Sequence, residues 1–115
     1  MGNERELIRG NTSTIVLAVL RDGSYHGYAL LREINRRMGD ILQFKQGTLY
    51  PVLYALEQDQ MIQGQWEHPE GERPRKVYSL TPAGLAELER QLNAWKTFTL
   101  AMQRATEGVP DVQPS

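Results

Sequence analysis

Between Thr12 and Arg21 the apolar residues Ile15, Val16, Leu17, Val19 and Leu20 stand so densely that the segment predicts a buried helix. Asp22-Gly23-Ser24 ends it, because these residue types favour turns and glycine tolerates the left-handed conformation that follows a helix. A second helix is predicted from His26 to Met38, where Leu31, Ile34 and Met38 recur at helical spacing while Arg32, Glu33, Arg36 and Arg37 point elsewhere. Gly39-Asp40 closes it. A third helix, from about Gly47 to Gln58, carries Leu49, Leu53 and Leu56 on one stripe. Pro51 fits this helix in its first turn, where a backbone N–H has no helical partner in any case.

The period then changes. Met61 to His68 and Arg75 to Leu80 read as strands, joined by the polar, proline- and glycine-punctuated stretch Pro69 to Pro74, so a hairpin with a long tip is predicted. Thr81-Pro82 is a helix start: the threonine oxygen caps free N–H groups, and proline at the first helical position has no donor to be capped. The last helix can continue to about Thr106. Its residues Leu85, Leu88, Leu92, Trp95, Thr99 and Met102 alternate three and four apart, the seam spacing of a coiled coil. At about 1.5 Å per residue such a helix is about 40 Å long, more than a domain of this size needs to cover its own core. Half of its apolar face is therefore expected to meet another subunit, and these six residues are the candidate dimer interface. Residues 1–107 are read as a single domain that includes this dimerisation helix (about 81–107), and 108–115, with Pro110 and Pro114, as a mobile tail.

A chain of 115 residues, 40% hydrophobic and 23% charged, suits one modest core and an ordinary soluble domain. The longest apolar run, Ile15 to Leu20, is far short of the roughly 20 residues that span a bilayer, and no basic region precedes it in the manner of a signal peptide. A cytoplasmic protein is expected. The absence of cysteine excludes disulfides, thiolate nucleophiles, zinc-finger ligation and iron–sulfur clusters. His26 is expected to cap or pack at the second helix; as a metal ligand it would have His68 as its one histidine partner and no carboxylate cluster beside it. With no glycine-rich phosphate loop either, the chain reads as no enzyme, with no cofactor and no metal.

The order helix, helix, helix, hairpin, helix is that of a winged helix-turn-helix: mainly α with a two-stranded β wing, plus a long C-terminal helix. In such a fold the third helix fits the major groove and the hairpin tip reaches a neighbouring phosphate run or minor groove. Lys45, Gln46, Thr48, Tyr50 and Tyr54 then lie at or near the entering end of the reading helix, and Arg73, Arg75 and Lys76 at the wing. A net charge of −1 argues by itself against nucleic acid. Distribution matters more than the sum, since Lys45, Arg73, Arg75 and Lys76 fall in two short stretches and Glu57, Asp59, Glu87 and Glu89 are expected on other surfaces. Two choices stay open. Tyr50 and Tyr54 serve either DNA contact or packing with their hydroxyls at the surface, and the wing cations serve either phosphate or simple solvation. A winged-helix module that binds protein and not DNA is the alternative class.

The residues also resemble a known family, the PadR-type transcriptional regulators. The resemblance is carried by His26-Gly27-Tyr28, by Gly47-Thr48-Leu49-Tyr50-Pro51 with Leu53, Leu56 and Glu57, and by Ile62 and Trp66. Arg73-Pro74-Arg75-Lys76 with Tyr78, and Leu80-Thr81-Pro82 with Gly84, complete it. These pieces run in order from Ile15 to about Trp95, and the chain looks like the short branch with a single helix after the wing. The resemblance implies a dimeric repressor that binds a palindromic operator and is released by a small molecule. Two positions depart from it: Ala55 stands where the family commonly has a basic residue, and Ala29 where an acidic one is frequent. In some short members similar to this chain an aromatic residue of the last helix lies near the dimer axis and flat ligands bind beside it. That implies Trp95, with Phe98 and Ile8, as the wall of a planar aromatic effector site; an aromatic dimer plug that binds nothing is the alternative.

Overall fold

Val16, Leu17, Leu30, Ile34, Leu49, Leu53, Ile62 and Leu88 are each at most 1% exposed, and together they bring every helix and one wing strand onto a common core. Removing each such side chain from water contributes about 1.5–3 kcal/mol, so this cluster is what holds the elements in place. The structure, a computed structural model, describes residues 3–39 and 41–108, with side chains from residue 10 onwards. The elements run α1 (Asn3–Arg21), β1 (Tyr25–His26), α2 (Gly27–Met38), α3 (Gln46–Gln58), β2 (Ile62–Glu67), β3 (Arg75–Leu80) and α4 (Pro82–Glu107). The protein is mainly helical, with a small antiparallel sheet forming the wing and a long C-terminal helix.

Several boundaries differ from the sequence reading. α1 starts at Asn3 and not near Thr12, because its first turns carry few apolar residues and so no periodic signal. In α2 the buried residues are Leu30 and Ile34, with Leu31 and Met38 half-buried, so the core face is rotated by about one position from the expected stripe. His26 caps that helix, its Nδ1 accepting from the Ala29 N–H at 3.4 Å. α3 starts at Gln46, which puts Pro51 one turn inside the helix and not in its first turn. Proline there gives no N–H to the Gly47 carbonyl, so one bond of the helical ladder is missing at that point.

The wing has three strands and not two, in the order β1-β3-β2. β2 and β3 pair from Ile62↔Leu80 to Glu67↔Arg75, and the two-residue β1 adds Tyr25↔Tyr78 and His26↔Val77 on the other edge of β3. That edge is thereby covered by the chain itself.

The junction of α3, the wing and α4 is tightly specified. α3 closes with the Gln60 N–H on the Glu57 carbonyl at 3.0 Å and the Met61 N–H on that of Leu56 at 2.9 Å, while Gln60 has a φ of 61°. This is the paired bonding of a Schellman end, with glutamine in the place that favours glycine. The hydroxyl of Thr81 lies 2.8 Å from the Gln60 carbonyl and 2.9 Å from that of Met61, and accepts from the Gly84 N–H at 3.0 Å as the cap of α4. A Cβ on Gly84 would fall 2.0 Å from the Met61 carbonyl oxygen, so only glycine lets α4 start this close to the wing. Gly108 ends α4 with a φ of 84°; the rest of the expected tail lies outside the described residues.

Candidate nucleic-acid interface

The turn into α3 is set by one side chain. Asn35 donates to the Phe44 carbonyl at 3.0 Å and accepts from the Phe44 N–H at 2.7 Å, which fixes the backbone just before the helix while the Phe44 ring is buried in the core. Lys45 follows as the N-cap with extended backbone and no side-chain cap bond; its carbonyl accepts from the Thr48 and Leu49 N–H groups, each at 3.0 Å, so the N–H groups at the open end of α3 are those of Gln46 and Gly47. Lys45, Gln46 and Gly47 are exposed and Thr48 is half-buried.

Leu49, Leu53 and Leu56 anchor α3, which leaves the opposite face free. Tyr54 is 68% exposed, more than packing requires, whereas Tyr50 is 41% exposed and leans on α2. A Cβ on Gly27 would sit 2.6 Å from the Tyr50 hydroxyl, so the ring rests directly on the start of α2. Its neighbour Tyr28 is 56% exposed and carries the Arg32 guanidinium 5.8 Å above its ring. Tyr28 and Arg32 thus join the candidate surface although neither was singled out from the sequence. Helical spacing says only that Arg32 is off the core, and the one signal for Tyr28 is its place after His26-Gly27.

The wing alternates. Ile62, Gly64 and Trp66 of β2 share a face with Leu80, Tyr78 and Lys76 of β3, the pairs standing directly opposite each other. On that face Lys76 does not extend to solvent: its Nζ donates to Glu57 Oε1 of α3 at 2.8 Å, and it lies 5.7 Å from the centre of the Tyr78 ring. The Glu57 carboxylate holds the Lys76 ammonium above the ordinary lysine range. Lys76, expected at a phosphate, is therefore turned inwards, and Glu57, expected on another surface, is its partner. Strand pairing places the root of Lys76 beside α3, and a four-carbon stem reaches the nearest carboxylate. Arg75 stands 3.7 Å from Glu67 and 3.9 Å from Glu72, both exposed pairs of little strength. Arg73 is exposed at the tip with no carboxylate partner among the described residues.

Arg36 and Arg37 of α2 are engaged with carboxylates. Glu33 bridges Arg36 at 2.7 Å and Arg37 at 2.8 Å, and Arg37 also reaches Asp22 at 2.9 Å. The two guanidinium groups, Arg36 first, hold the Glu33 carboxyl down at about 2. Among the described residues there is no group of histidine, aspartate and glutamate that could hold a metal ion, and no helix long and apolar enough to cross a membrane.

On α4 the expected seam divides. Leu88 is completely buried inside its own chain and Leu92 is half-buried against the same core, so Leu88 is removed from any contact with a partner. A three- and four-residue spacing marks a buried face without saying which surface buries it. Beyond that point the helix leaves the core: Trp95 is 53%, Phe98 60% and Met102 47% exposed, while Leu85 is partly exposed and Thr99 half-buried. An open groove of about 390 Å³ between α1 and α4 is lined by Asn11, Ser13, Thr14, Gln91, Trp95 and Phe98, among others. At its polar end Gln91 accepts from Ser13 at 3.3 Å and from Thr14, and donates to Glu87 at 2.7 Å. The side chain of Ile8, expected on the same wall, lies outside the described residues.

The model of the PadR-like family of transcriptional regulators matches residues 16–90. The chain belongs to the PadR-like family. A transcriptional regulator of Mycobacterium tuberculosis is 34% identical over 90 residues, covering 78% of this chain and 80% of its own length. A PadR family regulator from Eggerthella lenta has the same fold with a TM-score of 0.80 at 29% identity, covering 90% of this chain and 88% of that one. Bacillus subtilis PadR, solved in complex with operator DNA, superposes with a TM-score of 0.65 at 26% identity over 70% of this chain and 46% of its own. As a PadR-like protein with one helix after the wing, the chain is a transcriptional regulator and not an enzyme. The residues that the fold brings to the exposed side of this regulator's third helix are the N-cap Lys45, Gln46, Tyr50 and Tyr54 of α3, with Tyr28 of α2 beside the Gly27 on which Tyr50 rests. Lys76 is set back from that group.

Proposed function

We propose that this protein is a dimeric, cytoplasmic repressor that reads a palindromic operator through α3. The observation that carries the reading is the division of α3 itself. One side is locked to the core by Leu49, Leu53 and Leu56, and the other presents Tyr50 and Tyr54 behind an N-terminus with no side-chain cap. The hydroxyls suit base edges or phosphates, and the open N–H groups with Lys45 beside them suit a phosphate. Arg73 on the wing supplies a further phosphate contact, with Arg75 a weaker second. Thr48 and Gln46 complete the candidate set.

The exposed apolar run Trp95, Phe98 and Met102 supports pairing through the outer half of α4, with Leu85, Leu92 and Thr99 at its margins. Two copies joined there place their reading helices about one DNA turn apart, roughly 34 Å. Residues 1–107 act as one unit in this arrangement. The groove beside Trp95 is large enough for a planar aromatic effector. Packing of Trp95 and Phe98 across the axis would change with it, and with it the spacing of the two reading helices.

Mobility shifts with duplexes selected from a random library test the DNA reading, and sedimentation tests the dimer. A module that binds only protein enriches no duplex. Tryptophan fluorescence titrated with planar aromatic compounds, in Trp66→Phe protein so that Trp95 alone reports, tests the effector. No change across a broad panel removes the effector from the account.

A further inference from the structure

We propose that Lys76, Glu57 and Gly64 form a strut that fixes the wing against the reading helix, so that Lys76 acts on DNA as a positioning residue and not as a phosphate contact. Three elements meet there. Lys76 of β3 crosses the backbone of β2 at Gly64, where an added Cβ would fall 2.3 Å from Lys76 Cε and 3.1 Å from Glu57 Oε2. Having crossed, Nζ donates to Glu57 Oε1 of α3 at 2.8 Å. Both side chains are only 29% exposed, so the pair is partly shielded from the water and salt that weaken surface ion pairs.

The arrangement has a geometric purpose. β2 and β3 extend several residues beyond the core residues Ile62 and Tyr78, and a hairpin without further support is free to bend at its root. The strut lies between that root and the tip. It therefore sets the angle at which Arg73 is presented relative to Tyr50 and Tyr54, and both contacts can then be made without a separate ordering cost for the wing. The half-buried carboxylate is otherwise out of place, since an acid at the edge of a DNA-reading helix repels phosphate unless a cation occupies it. Glycine at position 64 is the feature a phosphate-seeking lysine does not need. It is the clearance through which the stem passes.

The affinity part of the test rests on the DNA reading, whereas the exchange part does not. Three variants break the strut differently: Lys76→Met removes the cation, Glu57→Ala removes the acid, and Gly64→Ala blocks the path without changing any charge. In free protein, amide hydrogen exchange over Gln63–Glu67 and Val77–Ser79 is expected to accelerate about tenfold in all three, and to stay unchanged in Arg73→Ala. Exchange that stays as slow as in the unaltered protein in all three overturns the strut whether or not DNA binds. On a duplex selected from a random library, Glu57→Ala is expected to weaken binding about tenfold although it removes a negative charge. The charge exchange Glu57→Lys with Lys76→Glu is expected to recover most of the affinity lost in Lys76→Glu alone. If Glu57→Ala instead tightens binding, and the exchanged pair is as weak as Lys76→Glu, then Lys76 is a phosphate contact and the proposal falls. If no duplex binds but exchange accelerates as stated, the strut stands and the DNA reading fails.

Discussion

The Tyr50 hydroxyl lies against the α-carbon of Gly27, where even a methyl group would come within 2.6 Å of it. Since the atoms in the way are the far end of the tyrosine ring, Gly27→Ala is expected to displace Tyr50 and not to unfold the protein. Its melting stability should change by less than about 1 kcal/mol, while affinity for a selected duplex falls about tenfold. Thermal melts and anisotropy titrations on the same sample check both; a large stability loss would show that Tyr50 is a core residue first.

Asn35 satisfies both backbone groups of Phe44, at 3.0 and 2.7 Å. Asn35→Ala leaves a half-buried N–H and carbonyl without their partner, which costs about 1–3 kcal/mol. Chemical denaturation is expected to show that loss with an unchanged slope. Because the same bonds aim the start of α3, DNA affinity should fall further than stability alone explains.

Gln60 holds a φ of 61° at the end of α3. A non-glycine residue in that region costs about 1–2 kcal/mol, and glycine gives back roughly half of it through a more flexible unfolded chain. Gln60→Gly is therefore expected to stabilise the protein by about 0.5 kcal/mol, read as a higher denaturation midpoint. A lower midpoint would mean that the glutamine side chain contributes packing at the wing junction.

Glu33 and Glu87 are both held at about 2 in the folded protein, Glu33 by Arg36 and Arg37, Glu87 by Arg90 and Gln91. A depressed carboxyl stabilises the fold above its unfolded value of 4.5, and that contribution disappears as pH falls from there towards about 2. Melting temperature should thus drop less steeply below about pH 5 in Glu33→Gln than in the unaltered protein. Both sites are exposed, so the difference is expected to be modest and to shrink in high salt.

Much of the fold was legible because leucines mark it directly. Leu49, Leu53 and Leu56 named the buried side of α3, and Thr81-Pro82 named the start of α4, where the Thr81 hydroxyl accepts the cap bond. β1 was not legible, since two residues carry no alternation and it exists only because β3 offers an edge. Leu88 was misplaced because a regular seam does not tell an intramolecular core from a partner surface. At the site, sequence pointed to Tyr50, Tyr54 and Arg73 by type and position. It missed the inward turn of Lys76, because meeting Glu57 depends on strand register and on the clearance at Gly64, neither of which has a local signature.

Anisotropy titration of a labelled duplex selected from a random library, against a scrambled duplex of the same composition, tests the reading role of α3 most directly. The unaltered protein is expected to prefer the selected duplex by at least about 10³-fold, and Tyr54→Ala to lose about tenfold of that preference while binding the scrambled duplex as before. Equal affinity of the unaltered protein for both duplexes, or a Tyr54→Ala loss identical on both, would contradict the account.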